Sequence, residues 1–111
     1  MNSIIDTGAA LDQMDGNQAL LRKLARLFLE KAPARMATIH EALARGDATA
    51  LHQATHSLKT SAGILAAPAV FAAVQRLDQI GRSGDLTQAG PACAVLDAEM
   101  ERLIDVLETL V

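Results

Sequence analysis

The sequence has 111 residues, of which 50% are hydrophobic, and a net charge of −3 at pH 7. This length suits a single domain with one modest core. The small net charge of mixed sign excludes the clustered Lys and Arg residues of a nucleic-acid-binding domain, and no run of about 18 apolar residues predicts insertion into a membrane.

The composition favours helices, because Leu and Ala supply much of the apolar content and there are only two Phe, no Tyr and no Trp. Cys93, the single cysteine, lies in an Ala-, Val- and Leu-rich run without basic neighbours, so we expect a small buried hydrophobe.

Residues 1–6 show no basic region followed by a long apolar segment, which predicts no signal peptide. We therefore expect a cytoplasmic domain, freestanding or part of a larger membrane-bound chain.

Two helical segments are expected in the first half of the chain. A short amphipathic one covers residues 9–14 and would cap one end of a bundle. The next covers residues 17–45, with Asn17 as N-cap, and Pro33 makes it one kinked helix or two nearly collinear ones. Its apolar stripe begins with Leu20, Leu21, Leu24, Leu27 and Phe28.

Three further helices are expected in the second half. They cover 47–65, 68–83, and a segment from Thr87 or Pro91 to the C-terminus. The last has a stripe of Ala92, Leu96, Met100, Leu103, Leu107 and Leu110, widened by Val95 and Val106. Short connections make successive helices antiparallel. The prediction is one all-α domain, 1–111, in which an antiparallel up-down four-helix bundle, 17–111, follows a short N-terminal capping helix within 1–16.

The third helix has one apolar face and one polar face. At about 100° per residue, the apolar face contains Leu51, Thr55, Leu58, Ala62 and Leu65, and the opposite face contains His52, His56, Lys59, Thr60 and Gly63. Burying the first set exposes the second. Imidazole has a reference pKa of about 6.5, so it is largely neutral and nucleophilic near pH 7. An exposed imidazole with an ammonium one turn away and small residues nearby is typical of a phosphoryl carrier.

The motifs of this helix resemble those of histidine-containing phosphotransfer domains of bacterial multistep phosphorelays. The similar segments are His56-Ser57-Leu58-Lys59, Ser61-Ala62-Gly63, Leu77-Asp78 and Arg82-Ser83-Gly84-Asp85-Leu86, and the resemblance continues from about residue 8. It implies that His56 accepts a phosphoryl group from a receiver-domain aspartate and passes it to another receiver. Magnesium would belong to the receiver, so we expect no cofactor or metal in this chain.

The resemblance also implies roles for neighbouring residues. Lys59 would be the electrostatic partner of the phosphoryl group and Arg82 a second basic residue. Asp78 occupies the position of a family Glu or Gln that hydrogen-bonds the imidazole. Thr60 stands where the family has Gly after the Lys, and Ala66 replaces a later Gly.

We expect the partner to be the receiver domain of a response regulator or hybrid sensor kinase, and the chain to be a monomer. Thr60, Gly63 and Ile64 are the predicted partner-binding residues, and Ala67 with parts of the first helix would extend the docking patch.

The sequence also allows plainer interpretations of these residues. Arg82 would also complement the helix dipole, and Asp78 alone would be read as a surface acid. The four-residue spacing of His52 and His56 suits a metal pair that takes a third ligand from His40 or Asp78, although no acidic residue lies between the two histidines. A further alternative is a degenerate module that binds receiver or kinase domains without carrying phosphate.

Overall fold

The computed structural model describes residues 4–111, so the first three residues of the predicted N-terminal segment lie outside it. The described residues form five α-helices and no strand. The helices are α1 (Thr7–Gln13), α2 (Gln18–Arg45), α3 (Ala48–Ile64), α4 (Pro68–Ser83) and α5 (Ala89–Leu110). None of these helices is both long and apolar enough to cross a membrane. The predicted all-α fold is confirmed.

The four long helices form a closed ring. Helix α2 packs against α3 and α5, and α4 packs against the same two neighbours. The α3/α4 seam therefore lies across the bundle from the α2/α5 seam. Helix α1 is tied to the end of the bundle where α3 leads into α4, since Asp6 N–H donates to the Ala66 carbonyl (2.8 Å) and Gln13 Nε2 to the Gly63 carbonyl (3.3 Å). The predicted up-down bundle with a capping helix is the observed one.

Side-chain caps set the first three helix starts. A carboxylate or amide oxygen accepts a backbone N–H three residues on at 3.0 Å in each case: Asp6 from Ala9, Asn17 from Leu20 and Asp47 from Ala50. The Asp6 cap starts α1 at Thr7, two residues before the predicted start, and the helix ends at Gln13.

Proline has different effects in α2 and α5. Helix α2 is one continuous helix through Pro33, which removes one backbone donor without breaking it. It ends at Gly46, whose φ of 66° is the left-handed conformation that glycine adopts without steric cost. Helix α5 starts at Ala89, between the two predicted starts, and holds Pro91 in its first turn, where no intrahelical N–H bond is needed.

The core combines large aliphatic side chains with many alanines. Its largest apolar members, all less than 2% exposed, are Ile39, Leu51, Leu58, Leu65, Leu77, Leu96, Leu103, Leu107, Val70 and Val74. Three residues assigned to apolar stripes are instead exposed: Leu20 (37%), Leu27 (39%) and Val95 (56%). In α2 the alanines Ala25 and Ala32 share the buried face with larger side chains such as Phe28, whereas Leu20 and Leu27 lie at the rim.

Ala66 has a left-handed backbone, with φ 53°, in the turn between α3 and α4. Such a conformation costs an L-residue about 1 kcal/mol or more. The resemblance placed a family glycine at this position, and the φ angle supplies the physical reason.

We therefore expect Ala66→Gly to raise the free energy of unfolding by about 0.5 kcal/mol, since the relieved strain exceeds the added freedom of the unfolded chain. Urea denaturation measures this. The control is Ala67→Gly at a position with φ −100° and 1% exposure, which should lower stability. An Ala66→Gly variant less stable than the original chain would contradict the strain argument.

Candidate functional site

Helix α3 presents the site because its other face is anchored in the core. The five predicted inward residues, Leu51, Thr55, Leu58, Ala62 and Leu65, are all at most 2% exposed. Four belong to the helix and Leu65 is its C-terminal cap. The opposite face is therefore held in a fixed orientation toward solvent.

His56 is exposed at the middle of this outer face. Within residues 4–111 no side chain hydrogen-bonds to its ring, and its nearest aromatic neighbour is the His52 ring, at a centroid separation of 6.3 Å. The Thr60 hydroxyl, one turn on, donates to the His56 backbone carbonyl at 3.2 Å. The imidazole is accordingly free to react with a group that approaches from outside.

Asp78 is a buried carboxylate, so its interpretation as a surface acid is wrong. It is 1% exposed on α4 and accepts three hydrogen bonds from one stripe of α3. The donors are His52 Nδ1 at 2.5 Å, Thr55 Oγ1 at 3.1 Å and Lys59 Nζ at 3.3 Å. The hydrogen-bonded imidazole is that of His52, one turn before His56.

The ionised form of Asp78 is favoured despite its burial. Desolvation alone would raise its pKa, but hydrogen bonds from His52, Lys59 and Thr55, together with the Lys59 charge, hold the pKa below the ordinary value of 3.8. A buried charge is tolerated only where it is paired and hydrogen-bonded. Asp78 thus provides a fixed negative charge beneath the polar face of α3.

Lys59 lies between this buried charge and solvent. Its side chain is 25% exposed, less than the sequence predicted for a residue on the outer face, because the ammonium reaches toward Asp78 Oδ2. His52 is also half-buried, with a side chain 41% exposed. Lys59 is on the same side of α3 as His56 at the three-residue spacing of helical neighbours.

A glycine allows α4 to lie close to α3. A Cβ atom on Gly81 would come within 3.2 Å of the His52 backbone nitrogen and 3.3 Å of the Ala48 carbonyl oxygen. The next residue, Arg82, is exposed in the last turn of α4 and forms no ion pair with any residue in 4–111. Its guanidinium is therefore available near the N-terminal half of α3.

The three predicted partner-binding residues differ in accessibility. Thr60 is exposed and Ile64 is 41% exposed. Gly63 is half-buried under Phe71, whose ring would lie 3.6 Å from an added Cβ. Ala67, also predicted to be exposed, is buried at 1% because it starts α4 inside the turn that α1 covers.

An apolar cavity of about 170 Å³ continues this surface between α2 and α3. Its lining consists of Leu24, Leu27, Phe28, Lys31, Arg35, Ser61, Ile64 and Leu65. Arg35 spans the two helices by donating to the Ser61 hydroxyl at 2.7 Å. Leu27 forms part of this lining. It is one of the residues of the predicted apolar stripes that are exposed and not in the core.

The structure does not assemble the metal set considered around His52 and His56. His40, one proposed third ligand, pairs with Asp97 on α5, its Nε2 lying 2.9 Å from Oδ1. The other, Asp78, accepts a hydrogen bond from His52 Nδ1. Among residues 4–111, no three-residue ligand group contains the His52–His56 pair.

The role of His52 as the partner of Asp78 was missed in the sequence. The available signal was polar residues on two facing stripes. Thr55 interrupts the buried stripe of α3, and Asp78 follows Val74 by four residues on the buried side of α4. Each needed a polar partner from the other helix.

Comparison with known proteins identifies the family of the chain. The family model described as "Hpt domain" matches residues 23–106, which include His56, Lys59, Asp78 and Arg82. The crystal structure of histidine-containing phosphotransfer protein B (HptB) from Pseudomonas aeruginosa PAO1 is similar in fold, with a TM-score of 0.88 and 20% sequence identity over 98% of this chain and 95% of that one. No curated protein matches the chain significantly in sequence. The chain therefore belongs to the Hpt domain family, the phosphotransfer modules that interact with receiver domains in phosphorelays.

Proposed function

We propose that His56 takes a phosphoryl group from the aspartyl phosphate of one receiver domain and passes it to the aspartate of another. The observation that carries this proposal is the exposed imidazole of His56, free of hydrogen bonds from other side chains in residues 4–111, on a helix anchored by its opposite face. Its unprotonated ring nitrogen attacks phosphorus, an N–P bond forms, and the acyl P–O bond breaks to release the receiver carboxylate. The reverse sequence of bonds delivers the group to the second receiver.

Lys59 stabilises the phosphoryl group electrostatically. In the unphosphorylated chain its ammonium is 3.3 Å from Asp78, and a second anion on His56 would share that charge. Asp78 keeps His52 and Thr55 as donors when Lys59 turns outward. Arg82, exposed at the end of α4, supplies a second positive charge to the approaching receiver. Asp78 acts by positioning Lys59 and His52.

Lys59→Ala is expected to slow phosphoryl transfer about tenfold, the equivalent of about 1.4 kcal/mol for a lost charge-assisted contact. Receiver binding should change less than the rate. Rapid-quench measurement of transfer from a phosphorylated receiver tests this. The matched control is Lys23→Ala, an exposed lysine on α2 with no ion pair to residues 4–111. Equal rates for the Lys59→Ala and Lys23→Ala variants would remove Lys59 from the site.

The receiver docks over the outer face of α3. Thr60 and Ile64 lie one and two turns beyond His56, and the apolar cavity beside Leu27 extends the surface toward α2. Gly63 contributes its small size at the edge of this surface, which lets another backbone approach. The residues of this surface all come from one chain, and we expect the carrier to function as a monomer. Magnesium for the transfer belongs to the receiver.

A non-phosphorylated docking module is the second candidate function. Thr60 favours it, because an exposed β-branched residue stands where the family motif has glycine, one turn from His56. In that case receivers would bind to α3 while the imidazole remained unmodified. Binding and phosphate uptake must therefore be measured separately.

The test is incubation of the full chain with receiver domains charged by a small-molecule phosphodonor and Mg²⁺. A carrier gains phosphate that is labile in acid and stable in base, and phosphorus NMR and peptide mapping place it on His56. Calorimetry measures binding in parallel. Binding without phosphate uptake across several receivers would select the docking module, and absence of both would overturn the receiver proposal.

A further inference from the structure

Three potential metal ligands meet on the side of the bundle away from the phosphotransfer site. His40 comes from α2, and Cys93 and Asp97 come from adjacent turns of α5. One ligand atom from each lies within 4.8 Å of the ligand atoms of the other two. This cluster, His40–Cys93–Asp97, lies at the α2/α5 seam.

The helices bring the three groups close together. Cys93 and Asp97 are four residues apart, so they occupy one face of α5. The Cys93 sulfur is 4.0 Å from His40 Nδ1, and the Asp97 carboxylate is 2.9 Å from His40 Nε2. Cys93 is 3% exposed, whereas the side chains of His40 and Asp97 are 52% and 43% exposed. The cluster therefore has a buried sulfur at its base and two adjustable ligands open to solvent.

A thiol beside an imidazole and a carboxylate can also suggest a nucleophile. Burial and the Asp97 charge raise the pKa of the Cys93 thiol to about 11, which keeps the free thiol protonated. With 3% exposure it also offers little surface to a substrate. A metal ion is small enough to enter from the His40 and Asp97 side, and it displaces the thiol proton as it binds.

We propose that His40, Cys93 and Asp97 bind a zinc-class transition-metal ion in a site separate from His56. Sulfur, imidazole nitrogen and carboxylate oxygen are the three donor types of protein zinc sites, and sulfur disfavours Mg²⁺ and Ca²⁺. In tetrahedral coordination the donor atoms lie about 3.5 Å apart, so the wider separations in the cluster, up to 4.8 Å, must shorten around the ion. One His40 nitrogen binds the metal. The half-exposed Asp97 side chain gives up its contact with His40 Nε2 and becomes the third protein ligand. Water fills the fourth position.

A metal in this site would connect α2 to α5. These helices are linked in sequence only through α3 and α4, so the bridge constrains the first and last members of the four-helix ring. Binding to the folded chain stabilises it by mass action. The His56 face on α3 remains uncovered, and phosphate uptake does not require the ion.

The experiment uses the purified full chain with Zn²⁺ and with Co²⁺ as a spectroscopic probe. At saturating Zn²⁺ the melting temperature should rise by about 5 °C or more. Co²⁺ should produce the near-ultraviolet charge-transfer absorption of a cobalt–thiolate bond. Cys93→Ser should remove that absorption, and His40→Gln and Asp97→Asn should reduce the zinc-induced shift at least by half.

The His40→Gln variant is expected to fold, because His40 is exposed. For each variant, the melting temperature with metal is compared with that of the same variant without metal. His56→Gln is the matched histidine control and should retain both signals. No thermal shift and no cobalt–thiolate absorption in the unmodified chain would overturn the proposal. A shift lost in the His56→Gln variant but retained in the His40→Gln variant would also overturn it, since the metal would then lie at the His52–His56 pair.

Discussion

Replacing His56 by Gln is expected to abolish phosphoryl uptake from a charged receiver and to leave the fold intact. Gln has no nitrogen lone pair that can form a stable N–P bond under these conditions. The His56 ring accepts and donates no side-chain hydrogen bond within residues 4–111, so its loss should change the free energy of unfolding by less than about 0.5 kcal/mol. Phosphate-affinity gels measure the uptake, and urea denaturation followed by circular dichroism measures the stability.

His52→Gln is the appropriate control, because its ring is 6.3 Å from that of His56 on the same helix. This variant loses the hydrogen bond between His52 and Asp78 and should transfer phosphate more slowly. It keeps His56, the proposed phosphoryl acceptor. Phosphate on the His56→Gln chain would identify His52 or another residue as the acceptor. Unfolding of the His56→Gln chain would show instead that His56 is packed against other residues.

Local chemistry explains why the boundaries of α2, α3 and α4 could be predicted within about one residue. The caps Asn17 and Asp47 and the glycine at 46 act within four residues of the helix ends that they set. Pro68 likewise begins α4 at its first position. These signals do not depend on the rest of the fold, so they can be read directly from the sequence.

The partners of Asp78 depend on the packing of two helices and could not be read in the same way. Gly81 brings α4 close to the backbone of α3, and this contact fixes which residues of the two helices face each other. Periodicity predicted that Thr55 points inward and Lys59 outward. It did not predict which residues of α4 face these two side chains. Asp78 follows Val74 on the buried side of α4, but the donors that it meets on α3 became clear only once both helices were in place.

The burial of Asp78 leads to the second large expected effect. Asp78→Ala removes an acceptor of three hydrogen bonds, two of them from the partly exposed His52 and Lys59 side chains. In the variant, the His52 and Lys59 side chains can donate hydrogen bonds to water instead. The Thr55 hydroxyl keeps the Leu51 carbonyl as an acceptor at 2.9 Å. We expect a loss of about 2 to 3 kcal/mol at pH 7, measured by urea denaturation. Asp78→Asn should lose less, because the amide keeps one acceptor oxygen.

The effect should depend on pH with a defined sign. The pKa of Asp78 is lower in the folded chain than its ordinary value of 3.8, so ionisation stabilises the fold above about pH 4, and protonation removes this contribution as the pH falls through the lowered pKa. The stability difference between the original chain and the Asp78→Ala variant should shrink as the pH falls from 5 toward 3. Asp105→Ala, at an exposed aspartate of α5, is the control and should be neutral or slightly stabilising. Equal stability of the Asp78→Ala variant and the original chain at pH 7 would contradict this prediction. It would mean that the cost of desolvating the carboxylate cancels the gain from its three hydrogen bonds. Asp78 would then position Lys59 and His52 without stabilising the fold.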